Sequence, residues 1–265
     1  MRDLTGAVAI ITGAGSGIGR ACALALAAEG TRTVVSDIDP ERAAGTAEQI
    51  ASQGGGAHPV GCDVTRDVDI QRLHDAALAE YGAIDIVMNN VGVIAVGVPE
   101  DLPLSAWEQS FNTNVLSIAR SLRVFLPGLL AQGHGHIVNT ASTSALWPYG
   151  YDRLPYAASK GAVVALSESL ALYTRPRGVG VTCLCPGPVR TGIAEQITVF
   201  GTPQPMRAPT LALIEAAEVG RLVVDAIKND TFFLPTHHEV PDIMRKRADD
   251  IDAFLNAQIA TLASP

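Results

Sequence analysis

"AVAIITGAGSGIGRA", residues 7–21, runs an apolar β-branched stretch into a glycine-rich turn and then into an alanine-rich helical segment. Gly13, Gly17 and Gly19 stand in a G-x-x-x-G-x-G spacing. Such a turn lets the backbone approach a pyrophosphate and aims a helix N-terminus at its charge. A tight strand-to-helix connection would also use glycine. The position of this turn between the first strand and the first helix favours the dinucleotide reading.

Outward from that stretch, apolar runs alternate with helical patterns. "TRTVVSD" (31–37) precedes "PERAAGTAEQIASQ", "AHPVGCDV" (57–64) precedes "DVDIQRLHDAALAEYG", and "IDIVMNN" (84–90), "HIVNTAS" (136–142) and "VGVTCLCPG" (179–187) complete six strands. Short buried strands separated by helices predict a parallel sheet covered on both faces. The fold class is therefore α/β, a Rossmann-type doubly wound sheet in one domain spanning 1–265. Residues 192–213, with three Pro among apolar residues, read as an irregular excursion that covers the substrate. Residues 242–263 place Ile251, Leu255, Ile259 and Leu262 at helical spacing, which predicts an extra C-terminal helix docked by one face.

Composition narrows the function. A net charge of −8 and 48% hydrophobic residues exclude a disordered chain and disfavour nucleic acid or an anionic membrane surface as partner. The N-terminal apolar run is too short for a signal peptide or a spanning helix, so a cytoplasmic location is expected. Cys22, Cys62, Cys183 and Cys185 lack a framework spacing and read as reduced thiols. Cys183 and Cys185 share a strand face without further ligands, and His237 and His238 point to opposite faces. No metal site is expected.

Asp37 ends the second strand, 18 residues beyond Gly19, where an acid bonds the adenosine ribose hydroxyls and repels a 2′-phosphate. Ala14, Gly15 and Ser16 add no cation, so NAD is expected over NADP. Asp39 suits the N-cap before Pro40 better than Asp37 does. Asp63 and Asn89-Asn90-Val91-Gly92 also fall at strand carboxyl ends, the ligand edge of such a sheet, although each taken singly is also a turn former.

"YAASK" (156–160) contains one of only three lysines in the chain. Tyr156 and Lys160, four apart, share a helix face. A phenol is too weak an acid for neutral-pH base chemistry, and a nearby cation lowers its pKa. The pair thus suits proton exchange with an alcohol or carbonyl oxygen.

Together with Thr12-Gly13-x-x-x-Gly17-Ile18-Gly19, "NNVG", Asn114 in "FNTNVLS", Ser142 in "IVNTAS" and "CPGPVRT" (185–191), this pattern resembles the short-chain dehydrogenase/reductase family over about residues 4–235. The resemblance implies an oxidoreductase interconverting a secondary alcohol and its ketone with NAD. It assigns Asn114, Ser142, Tyr156 and Lys160 to catalysis. Tyr156 exchanges the hydroxyl proton, Lys160 lowers its pKa and bonds the nicotinamide ribose, Ser142 orients the substrate oxygen, and Asn114 holds a water on the proton path. Gly13, Ser16, Gly17, Ile18, Gly19, Asp37, Asp63, Val64, Asn90, Val91, Gly92, Pro186, Gly187, Val189 and Thr191 are assigned to the cofactor together with Tyr156 and Lys160. Val189 and Thr191 hold its carboxamide. The resemblance also implies pairing of the helices near 105–130 and 156–175 into dimers or tetramers.

The chain departs from the family pattern at Val91, where alanine is usual, and in the separation of Ser142 from Tyr156, which is one residue longer. Leu146, Trp147, Tyr149, Tyr151 and Leu154, with Val93, Ile94 and Val96, predict an apolar pocket suited to a hydrophobic or aromatic substrate. The alternative is that Trp147 and the tyrosines pack against 192–213 or a neighbouring subunit. Other readings are a non-catalytic dinucleotide-binding protein, and an epimerase or dehydratase on the same fold.

Overall fold

The computed structural model describes residues 3–202 and 210–263. Strands β1 (Val8–Thr12), β2 (Arg32–Asp37), β3 (Ala57–Gly61), β4 (Ile86–Asn89), β5 (Gly135–Thr140), β6 (Val179–Cys185) and β7 (Phe233–Pro235) form one sheet in the order β3-β2-β1-β4-β5-β6-β7. Every neighbouring pair is parallel. The order reverses between β1 and β4, which opens a crevice at their carboxyl ends. Pro59, which cannot donate to a ladder, lies on the edge strand β3.

Helices α1 (Gly17–Ala28), α2 (Pro40–Ser52), α3 (Asp67–Tyr81), α4 (Leu104–Phe111), α5 (Ser117–Gln132), α6 (Leu154–Thr174) and α7 (Ala216–Lys228) cover both faces. Strand residues alternate between the faces. Ile11, Val35, Met88, Val138 and Leu184 pack with Leu26, Ile50 and Val223 from α1, α2 and α7. Ile10, Val34, Val87, Ile137 and Val181 pack with Leu73, Phe125 and Leu170 from α3, α5 and α6. Burial on both faces explains why the strands read as continuous apolar runs. Truncating one such residue, as in Leu26→Ala, should cost about 2–5 kcal/mol.

Local signals set the helix ends. Asp39 accepts from the Glu41 and Arg42 N–H groups ahead of Pro40, as its sequence position indicated. Gly82 closes α3 in the left-handed region at φ 74°. A π-turn, Asn112–Leu116, joins α4 to α5. The continuous run Leu104–Gln132 is long and apolar enough by composition to cross a membrane. Here Ile118, Phe125 and Leu129 bury one face of it on the domain.

Three expectations are corrected. The sheet has a seventh strand, β7, too short to stand out ahead of Pro235. The tail is two helices, α8 (Val240–Asp249) and α9 (Ile251–Ala263), because Asp250 turns to extended backbone (φ −155°, ψ 100°). The stripe Ile251, Leu255 and Ile259 is exposed; Ile243, Met244 and Phe254 make the contacts to the core instead. Finally, the excursion at 192–213 carries a short strand near its start and runs into another immediately after its end. Ile197–Val199 pairs with Ile94–Val96, and Ile214–Glu215 pairs with Val189–Arg190. Its central part, 203–209, lies outside the described residues.

Candidate active site

At the carboxyl ends of the strands lies a cleft of about 700 Å³. The glycine turn forms one end. Gly13 and Gly17 have positive φ, 64° and 52°, which favours glycine. A Cβ on Gly19 would stand 2.2 Å from the Gly13 carbonyl oxygen, so any side chain there would force the turn open. The Ser16 side chain caps none of the first-turn N–H groups of α1, whose positive helix end faces the cleft.

Asp37 Oδ1 accepts from Asp39 N (3.1 Å), and its carboxylate lines the same cleft beside Ile38, which is 71% exposed. Arg42 approaches Gly15 but is paired to Asp39 at 3.4 Å. Asp63 Oδ1 accepts from Thr65 N and Oγ1 at 2.9 and 2.7 Å, so that oxygen builds the turn presenting Val64. Asn90 is fixed by Thr12: its N–H donates to Thr12 Oγ1 (3.1 Å) and its Nδ2 to Thr12 O (3.2 Å). Across the cleft, Thr191 Cβ lies 3.2 Å from where a Gly17 Cβ would project, so the "CPGPVRT" segment closes over the glycine turn. These features fit a dinucleotide: glycine-only approaches, a helix N-terminus and an acid at the second strand end.

The other end holds the catalytic candidates. Lys160, 3% exposed, donates from Nζ to Thr140 O at 2.7 Å, and the same Nζ lies 5.9 Å from the Tyr156 ring centroid. Tyr156 and Ser142 both face the cleft. Asn114 sits in the π-turn, an insertion that redirects side chains and recurs at functional sites. Its Oδ1 accepts from Val93 N (2.8 Å) and its Nδ2 donates to Val93 O (3.1 Å) and Ser159 Oγ (2.9 Å). A Cβ on Gly92 would lie 3.2 Å from Lys160 Nζ and 3.4 Å from Asn114 Oδ1; glycine leaves the space between them clear.

Burial governs the charges. The packed surroundings push the Tyr156 phenol up to about 12, opposed by the Ser142 hydroxyl and, more weakly, by Arg153. Burial also draws Lys160 down to about 8, against the opposing influence of Cys183 and Cys185. Within the chain alone, then, Tyr156 is a weaker acid than a free phenol, opposite to the direction expected from its lysine neighbour. Burial is the dominant cause, and the Lys160 ammonium is directed at Thr140 O.

The cleft brings together every assigned residue except Gly19 and Asn114, which do not line it. The pocket expectation holds for Val93, Ile94 and Tyr149 and is corrected for the rest. Leu146 and Trp147 are buried in the core with Val163 and Val240, because the tight turn at Thr143–Ala145 directs them inward. Val96 is also buried, and Tyr151 and Leu154 are exposed away from the cleft. Ile193 and Leu213, from the described ends of the 192–213 segment, border the cleft instead. The sequence reading missed Thr140, the acceptor for Lys160. It also missed His237, whose ring bonds Thr236 Oγ1 (2.9 Å) and Ala212 O (2.7 Å) beside Gly187. Neither carries a local signal.

A family model described as short chain dehydrogenase matches residues 7–199. The chain belongs to the short-chain dehydrogenase/reductase family. Over 246 residues it is 35% identical to a 1-deoxy-11-beta-hydroxypentalenate dehydrogenase of Streptomyces exfoliatus, covering 92% of this chain and 87% of that one. It is 32% identical to a cyclohexanol dehydrogenase of an Acinetobacter species, covering 89% and 93%. A short-chain dehydrogenase/reductase of Burkholderia phymatum in complex with NAD superposes with a TM-score of 0.85 at 34% identity, covering 96% of each chain. This member of the family is an oxidoreductase acting on CH–OH groups with a nicotinamide dinucleotide.

Proposed function

We propose that the protein is an NAD-dependent dehydrogenase interconverting a secondary alcohol and its ketone on a largely apolar substrate, with Tyr156 as general acid/base. The observation that carries this reading is the convergence of Tyr156, Ser142 and Lys160 on one cleft whose other end is the glycine turn. When bound, the nicotinamide supplies hydride exchange at the carbinol carbon. Asp37 receives the ribose hydroxyls, and Gly13, Gly17 and Ser16 receive the pyrophosphate. The Val189 backbone and Thr191 orient the carboxamide. Tyr156 takes the hydroxyl proton in oxidation and returns it in reduction; Ser142 holds the same oxygen. Lys160 bonds the nicotinamide ribose, and Asn114 orders a water beyond it.

Val93, Ile94, Ile193 and Leu213 support an apolar alcohol, and the names of the two similar dehydrogenases, a hydroxypentalenate and cyclohexanol, point the same way. Segment 192–213 serves as the cover that excludes water. Mixing the protein with NAD and a panel of small, alicyclic, aromatic and phosphorylated alcohols, while following NADH absorbance, tests this reading. The value of kcat/KM should rise with apolar bulk. A clear preference for a phosphorylated alcohol would overturn the substrate class, and no turnover across the panel would overturn the function.

A further inference from the structure

Hydrogen bonding continues beyond Ser142. Ser142 Oγ donates to Ser144 Oγ at 3.2 Å and accepts from Ser144 N at 3.1 Å. Ser144 Oγ lies 2.5 Å from the Tyr149 hydroxyl, and either can be the donor. The Arg153 guanidinium stands 5.1 Å over the Tyr149 ring and is itself paired to Asp152 at 2.8 and 3.2 Å. Ser142 and Ser144 are buried, and Tyr149 lines the cleft beside Tyr156.

A serine hydroxyl has one proton to donate. While Ser142 gives that proton to Ser144, it cannot give it to a substrate oxygen. Simply breaking the Ser142–Ser144 bond would leave a buried hydroxyl short of a partner, which is costly. Reversing the chain keeps every bond. Tyr149 donates to Ser144, Ser144 donates to Ser142, and Ser142 donates to the substrate oxygen. The Ser144 N–H and O–H then occupy both acceptor positions of Ser142, which leaves its own proton for the substrate oxygen. No covalent bond changes; three O–H groups rotate together. A cation over the Tyr149 ring draws on its π-electrons and favours the phenol as donor at the head of the chain.

We infer that Ser144 and Tyr149 are positioning residues that set the donor direction of Ser142, a role that rests on the alcohol–ketone reading above. Four variants test it: Tyr149→Phe, which keeps the ring under Arg153, Ser144→Ala, their double mutant, and Ser144→Thr, which keeps a hydroxyl. Each is assayed with NAD and cyclohexanol or the best alcohol of the panel, with NAD affinity by calorimetry and folding by thermal melting. Tyr149→Phe and Ser144→Ala should each lower kcat about ten-fold with NAD affinity unchanged. The double mutant should lose little more than either single, and Ser144→Thr should keep most of the activity. If Ser144→Ala fails to fold, the isosteric Tyr149→Phe and the Ser144→Thr rescue decide the matter. Unchanged kcat in Tyr149→Phe, additive losses, or a faster Ser144→Ala enzyme would overturn the inference; the last would mean that Ser144 holds Ser142 away from substrate. In those cases an active wild type with an inactive Tyr156→Phe leaves the underlying function standing. A wild type without alcohol turnover overturns both.

Discussion

Asp37 Oδ2 accepts a hydrogen bond from the Gly15 backbone N–H at 2.9 Å. The carboxylate that ends β2 therefore fixes the glycine turn as well as lining the cleft, and a Cβ on Gly15 would lie 2.6 Å from that same oxygen. Two substitutions separate the roles. Asp37→Ala removes the turn anchor and the charge, so NAD affinity should fall at least ten-fold and stability by about 1 kcal/mol. Asp37→Asn keeps an acceptor for Gly15 but loses the charge that repels a 2′-phosphate. Its single amide oxygen cannot also accept from the Asp39 N–H that Oδ1 now serves, so it should melt slightly lower than wild type, by no more than Asp37→Ala, and still narrow the NAD/NADP ratio of kcat/KM. An unaltered ratio in both variants would remove Asp37 from cofactor choice.

Tyr156→Phe retains the ring but not the exchangeable proton. Turnover should fall by about a hundred-fold or more while NAD still binds by calorimetry. Retention of more than about a tenth of the wild-type rate would refute the role. Because oxidation uses the phenolate and burial pushes this phenol up, alcohol oxidation should climb toward alkaline pH. Ketone reduction, which uses the phenol, should not climb with it.

What the sequence disclosed follows from how local each determinant is. The strand, glycine turn and helix at 7–28 are contiguous, and so is the Asp39-Pro40 helix start; both were readable directly. Tyr156 and Lys160 were readable because one helix places them on one face. Asn114 was accessible only through the family resemblance, since its placement depends on a π-turn that periodicity does not announce. Trp147 was misplaced because an aromatic residue near Ser142 suits a pocket and a core equally, and the turn at Thr143–Ala145 decides between them. The helical spacing of Ile251, Leu255 and Ile259 correctly marked a helix. It could not say that the break at Asp250 leaves this face exposed. The Ser142–Ser144–Tyr149 connection is local in the chain, but it depends on the tight turn at Thr143–Ala145, which no sequence pattern announced.

Assembly is expected through the outer faces of the helical run at 104–132 and α6, where Leu116, Leu172 (82% exposed) and Tyr173 present apolar surface. Such exposure on neighbouring helices favours association. Light scattering at micromolar concentration should give a dimer or tetramer, and Leu116→Glu with Leu172→Glu should shift it toward smaller species. A monomeric wild type would refute the arrangement.

Lys160 links the chemistry to stability. Its pKa falls from 10.5 toward about 8 on folding because the ammonium is buried. The unfolded chain therefore binds more protons between those two values, and stability should rise with pH through that interval. A shift of this size corresponds to about 3 kcal/mol withheld at neutral pH, offset in part by the bond to Thr140 O. Lys160→Met removes the buried charge. It should abolish turnover yet melt at a higher temperature than wild type at pH 7. Above pH 8 the difference should shrink as wild-type Lys160 sheds its proton in the folded state. Tyr156 acts in the opposite sense only above about pH 10, where the unfolded phenol ionises and the folded one does not, so both proteins lose stability there alike. Thermal melts of the two proteins from pH 6 to about 10 would check this. A Lys160→Met advantage that is absent at pH 7, or constant across the range, would show that the buried ammonium does not limit the stability of this site.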